Sequence, residues 1–252
     1  MVCLRRLLRF ASLTMPEHYP QRRLLPALFF ALALAGCSDD GAEKKPLPPA
    51  SNRAKSDVVL SAGQGFDFYV LSLSWSPTWC DDNDPSGKTG QCKLGSNRGL
   101  IVHGLWPQND RGYSDFCPTR QSDRVPEALG RQYLDLIPSM GLIGHQWRKH
   151  GTCSGLSQQD YFAVTRAARE RVALPAELSA SRRENSLSVS AIEAGFVARN
   201  PGMTTNAVAV TCEGKRLEEI RICFDKALNF RPCPEVDRQA CRRDTVTLPP
   251  AS

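Results

Sequence analysis

Three of the four histidines of this chain fall in two short segments. His103-Gly104-Leu105-Trp106-Pro107-Gln108 holds one, and His145-Gln146-Trp147-Arg148-Lys149-His150-Gly151-Thr152-Cys153 holds two. If the second segment is helical up to Gly151, Gln146, Lys149 and His150 stand at i, i+3 and i+4 on one face, with His145 four residues before Lys149. A cation, an amide and an imidazole converging in this way would hold a phosphate. The spacing does not suit a zinc peptidase, which needs His at i and i+4 around a Glu; here the two His are five apart around a Gln. No Cys-x2-Cys pair and no regular Cys/His ligand set occurs either, so no metal site is expected. Histidines satisfied inside the core are the alternative reading of the same residues.

The elements that must position these side chains follow from the pattern. Residues 66–75 are rich in aromatic and β-branched types and read as a strand stopped by Pro77. Residues 81–89 read as a loop. Residues 100–103 read as a second short strand, broken at Gly104 and Pro107. Pro126 can open a helix running towards Ile137 with Leu129, Tyr133 and Leu136 on one side. Gly141 and Gly144 frame the approach to His145. Ser157-x-x-Asp160 and Ser190-x-x-Glu193 read as caps of two further helices, and the stretch 175–187 between them as exposed. Residues 208–210 and 217–224 read as strands around the Glu213-Gly214 turn. In the second of these, Ile220, Ile222 and Phe224 share a face from which Glu219 and Arg221 point away. Strands at both ends with helices between them make an α+β domain with a largely antiparallel sheet. No internal repeat and no domain break occurs after residue 66.

Composition places the chain among folded proteins: 252 residues, 41% apolar and 23% charged. The formal charge of +6 invites a nucleic-acid reading, but residues 1–36 carry five Arg against one Glu. The remainder has 27 Lys and Arg against 25 Asp and Glu, so a claim about RNA must come from a site. Arg22-Arg23 followed by the apolar run 24–36 reads as a secretory signal, too short to span a bilayer. Met15 opens a signal of ordinary length and is read as the true start. Leu34-Ala35-Gly36-Cys37 looks like a bacterial lipobox, with Cys37 lipidated at the mature N-terminus; Ser38 after it implies the outer membrane. Soluble export is the alternative. Residues 37–65 then form a polar, Pro-broken, lipid-anchored linker, and residues 66–252 the folded domain. Leaving out Cys3 and Cys37, eight of the ten Cys remain in an exported chain, which reads as four disulfides whose pairing spacing alone cannot choose.

The two His segments carry a resemblance to the T2 family of ribonucleases, in its bacterial branch. Its first box, a strand ending in His-Gly-Leu-Trp-Pro, stands at Ile101 to Pro107. Its second, His-Glu-Trp-x-Lys-His-Gly-Thr-Cys, stands at His145 to Cys153 with Gln146 in place of Glu. Residues 66–75 look like the family's first core strand and residues 218–223 like a late one, so the resemblance runs from about residue 66 to 248. It implies a T2-like fold, a central mostly antiparallel sheet with packed helices and four disulfides. It also implies a monomeric, metal-independent endoribonuclease that needs no cofactor and cuts single-stranded RNA through the 2′-OH that DNA lacks. By resemblance His150 is the base and His103 the acid, His145 holds the phosphate, Lys149 stabilises its charge, and Trp106 and Trp147 line the substrate. Gln146 can only hydrogen-bond where the family's Glu could carry charge. The family also ties Cys117 to Cys153; Cys80–Cys92 would close the loop before the first box, and Cys212–Cys241 would nest around Cys223–Cys233. The alternative is a catalytically weak or dead T2 fold that binds RNA or protein.

Overall fold

Phe68–Trp75 (β1) is buried along its whole length, so it has protein on both faces. Its alternation decides which residue meets which layer. Tyr69, Leu71, Leu73 and Trp75 enter the main core, while Phe68 and Val70 join a smaller cluster with Ala209, Cys223, Cys233 and Val236. The structure is a computed structural model and describes residues 60–179 and 182–251. After β1 come α1 (Ser76–Asn83), β2 (Leu100–Gln108), the short α2 (Glu127–Gly130), α3 (Met140–Lys149) and α4 (Gln158–Glu170). Then follow β3 (Asn185–Ser188), α5 (Val189–Arg199), β4 (Val208–Glu213), β5 (Arg216–Phe224), the short α6 (Pro234–Asp237) and β6 (Thr245–Leu248). The sheet order is β2-β1-β5-β6-β3, with β4 also paired to β5. Every pairing is antiparallel except one parallel contact between Arg216 and Thr247. The molecule is thus an α+β fold with a central antiparallel sheet.

Two register shifts interrupt that sheet. On β2, Gly104 stands opposite Ser72 but Val102 stands opposite Leu73, so His103 is one surplus residue. On β5, Ile220 stands opposite Val210 but Leu217 opposite Cys212, so Glu218 and Glu219 together face Thr211. Both are β-bulges, which bend a strand and re-aim a side chain.

Several elements differ from the sequence reading. Pro77 does not merely stop β1; it sits in the first turn of α1, where a missing N–H is not needed, and residues 81–83 are helical rather than loop. β2 is not broken at Gly104 or Pro107. It is an edge strand, which tolerates a residue without an amide hydrogen. α2 ends at Gly130 and tightens into a 3-10 turn, Arg131–Tyr133, short of Ile137. Ser157 caps α4, its Oγ accepting the Asp160 N–H at 3.1 Å. The cap of α5, however, is Ser188, accepting the Ala191 N–H at 3.0 Å; Ser190 lies inside the helix, and Glu193 accepts instead from the Val210 N–H. Within 175–187, Pro175 and Leu178 are buried, and the segment ends in β3, paired with β6.

Disulfides join Cys80 to Cys92, Cys117 to Cys153, Cys212 to Cys241 and Cys223 to Cys233, the pairs that the resemblance implies. Leu60 already packs against the core and the Gln64 N–H donates to the Ser154 carbonyl, so packed chain precedes Phe66. The signal segment, Cys37 and the linker up to residue 59 lie outside the described residues.

Candidate active site

α3 forms because Ser139 caps it, its Oγ accepting the Leu142 N–H at 3.3 Å. Ile143 and Trp147, one turn apart, bury its inner face, while Arg148 and Lys149 meet the negative end of its dipole. This helix presents His145, Gln146 and Lys149, with His150 as its C-terminal cap, towards His103 and Trp106 of β2. All six line one cavity of about 430 Å³, whose far wall is Glu218, Glu219 and Arg221 of β5. Trp147 is the exception and corrects the expectation of a substrate contact. It is fully buried, stands edge-on to Tyr161, and donates its indole N–H to the Ser122 carbonyl at 2.8 Å.

Trp106 is the hub. Its ring lies 5.2 Å from the His150 ring at 24° and 5.4 Å from the His103 ring at 83°. Its N–H donates to Gln146 Oε1 at 3.0 Å, and the Arg221 guanidinium rests 5.4 Å from its centroid. Gly104 makes this approach possible: a Cβ there would overlap Gln146 Oε1 and come within 2.6 Å of the Trp106 indole nitrogen. Gln146 Nε2 is left buried, with no partner among the described residues.

The electrostatics separate the two histidines at the ends of the cavity. Burial, reinforced by the Lys149, His103 and His145 charges, pushes His150 down to about 3, so it is neutral across mildly acid and neutral pH. His145 is also lowered, by burial first and then by Lys149, Arg148 and His103. His103 Nδ1 instead faces the Glu219 carboxylate at 2.5 Å. Burial alone would raise Glu219, but the His103 hydrogen bond, the His103 and Arg221 charges and the Arg221 hydrogen bond outweigh it and hold the carboxyl down at about 2. A neutral imidazole and one bonded to a carboxylate thus stand on either side of one indole.

Glu219 and Arg221 join the site although no local motif marks them. Their outward position on β5 was visible in the alternation, but that this face lies over His103 depends on two bulges far apart in sequence. Cys117–Cys153 ties the turn after α3 to the loop carrying Phe116, whose ring meets His145 edge-on at 6.3 Å.

Residues 66–233 match the Ribonuclease T2 family. A ribonuclease of Aeromonas hydrophila is 41% identical over 130 residues, 51% of this chain and 57% of that protein. The chain thus spans little more than half of that relative. A probable ribonuclease of Haemophilus influenzae is 33% identical over 200 residues, 71% of this chain and 68% of that protein. In fold, an RNase-related protein from Calystegia sepium superposes with a TM-score of 0.60 at 23% identity, covering 75% of this chain and all of that one. The chain belongs to the ribonuclease T2 family.

Proposed function

We propose that this protein is an endoribonuclease that cleaves single-stranded RNA by transesterification through its 2′-OH. The observation that carries the reading is the pair of imidazoles flanking Trp106, one kept neutral by burial and one hydrogen-bonded to an ionised carboxylate. His150 takes the 2′-OH proton, and the 2′-oxygen attacks phosphorus. The P–O5′ bond breaks as His103 gives its proton to the departing oxygen, leaving a 2′,3′-cyclic phosphate and a 5′-OH. In the second step His103 deprotonates water, His150 returns a proton to the 2′-oxygen, and a 3′-phosphate results. Lys149 and His145 line the same cavity and are assigned to the phosphate, where positive charge would stabilise the developing phosphorane. The buried Gln146 Nε2, in want of an acceptor, offers a donor beside them. The protons move through side chains and the charge is met by Lys149, so the mechanism calls for no metal. RNA digested in excess chelator should give cyclic or 3′-phosphate ends while DNA survives; 5′-phosphate ends would overturn the mechanism.

We further propose that Cys37 carries lipid and that the residues between it and the packed Leu60 tether the domain to the periplasmic side of the outer membrane, from the Leu34-Ala35-Gly36-Cys37 run. Mass spectrometry of the N-terminal peptide tests this; an unmodified Cys37 in a soluble periplasmic fraction would leave export and remove the anchor.

A further inference from the structure

We infer that Glu219 is a positioning residue for the acid step: it fixes His103 with Nδ1–H bound and Nε2 turned to the reacting phosphate, and Arg221 holds Glu219 in place for that task. This rests on the reading of His103 as the acid. The two bulges are what bring the pair together. His103 is the surplus residue of β2, Glu219 one of the two residues of β5 that share Thr211, and β1 runs between them. Where β1 passes between them it presents the small Ser72 and Ser74, which leave room for the two side chains to meet. Glu219 Oε1 accepts from His103 Nδ1 at 2.5 Å, and Oε2 accepts from Arg221 Nε at 3.0 Å with the charged Nη2 of the same guanidinium also 3.0 Å away. The Glu219 side chain is only 5% exposed, so the carboxylate itself is shielded from solvent. Its backbone is pinned as well, the Glu219 N–H donating to Thr211 Oγ1 at 3.1 Å.

The other charged or titratable groups around His103 are Arg221 on β5, His145 and Lys149 on α3, and His150 after it. Glu218 lines the same cavity but turns its Oε2 to the Thr211 hydroxyl, and Glu235 lines it from α6. Glu219 is therefore the carboxylate that meets the acid directly. With Nδ1–H held by Glu219, Nε2 carries the mobile proton when His103 is charged and a lone pair when it is neutral. The same nitrogen can then give a proton to the 5′-oxygen and later take one from water, without the ring turning.

The test compares two substrates. A dinucleotide expels an alkoxide that needs a proton; the 3′-(4-nitrophenyl phosphate) of uridine expels a phenolate that does not. Glu219→Gln should lower kcat on the dinucleotide by roughly 10²-fold, in the range of a misdirected proton donor. KM should stay within about threefold, and kcat on the nitrophenyl ester should fall by less than about fivefold. Equal losses on both substrates, or none, overturn the inference. His103→Ala runs as the control. If it too fails to discriminate between the substrates, the acid assignment is at fault; if it discriminates and Glu219→Gln does not, Glu219 alone is at fault. Should Glu219→Gln not fold, the wild type decides through imidazole ¹⁵N shifts: neutral His103 protonated on Nε2 rather than Nδ1 would overturn the proposal.

Discussion

Trp106 and His150 stack with their ring centroids 5.2 Å apart and 24° between planes, and this contact, not the helix alone, keeps the His150 imidazole away from water. Removing the indole lets solvent reach His150 and relieves the burial that lowers it. Trp106→Ala should therefore raise the acid limb of the kcat/KM profile towards the ordinary histidine range and reduce the maximum by about 10- to 100-fold. The pH–rate profile on a dinucleotide from pH 3 to 8 checks both.

Removing either proton carrier should be far more severe. His103→Ala and His150→Ala should each lower cleavage by roughly 10²–10⁴-fold, the usual contribution of a positioned acid or base. A family member that only binds RNA would show wild-type turnover at background, with RNA binding intact. Dinucleotide turnover and RNA binding, measured on the same preparations, distinguish the two.

At Gln146 the expected effect is a shift rather than a loss. In Gln146→Glu one carboxylate oxygen can keep the Trp106 hydrogen bond, while the added charge stands beside His150 and Lys149. An anion favours protonated imidazole, so the acid limb should move upward. Profiles that superimpose in height and shape would mean that position 146 does not touch the chemistry.

Gly104→Ala should act on the site more than on the fold. The new methyl meets Gln146 Oε1 and the Trp106 indole nitrogen, so the bond between those two must open. The expected outcome is a loss of kcat/KM of at least about tenfold, with a melting temperature lowered by only a few degrees. Calorimetry beside kinetics checks it.

Acid should destabilise the protein through two overlapping pH windows. His150 is lowered to about 3 from an unfolded value of 6.5, so the unfolded chain binds the extra proton between those limits and stability falls as pH drops from 6.5 towards 3. Glu219, lowered to about 2 from 4.5, adds stability above pH 4.5 that is lost as pH falls towards 2. Melting temperature against pH should slope through both windows, and His150→Gln should flatten the upper one.

The parts of this site visible in the sequence are those set by local spacing. His145, Gln146, Lys149 and His150 share a helix end, and a helical period is enough to gather them. The same period held a warning about Trp147, which falls one turn after Ile143 on the core side. Gly104 and Pro107 misled because the rule that they break strands holds for central strands, and β2 is at the edge. Ser190 misled because Ser188, two residues earlier, has the same chemistry and the right backbone. β3 and β6 are four residues each and take shape only by pairing along the sheet, β3 with β6 and β6 with β5. Glu219 was beyond reach for a different reason: its partnership with His103 spans 116 residues and depends on ladder registers that no local pattern encodes.

The bulge at His103 sets the regular strand against the proposed chemistry. Val102 and Leu105 both face the core, although a straight ladder would send residues three apart to opposite sides. Deleting the surplus residue would restore unbroken pairing with β1 and remove His103 in the same stroke, so under the proposed mechanism a better hydrogen-bonded sheet would be an inert one. Changes selected for stability alone will drift towards that regular ladder unless turnover is selected with them.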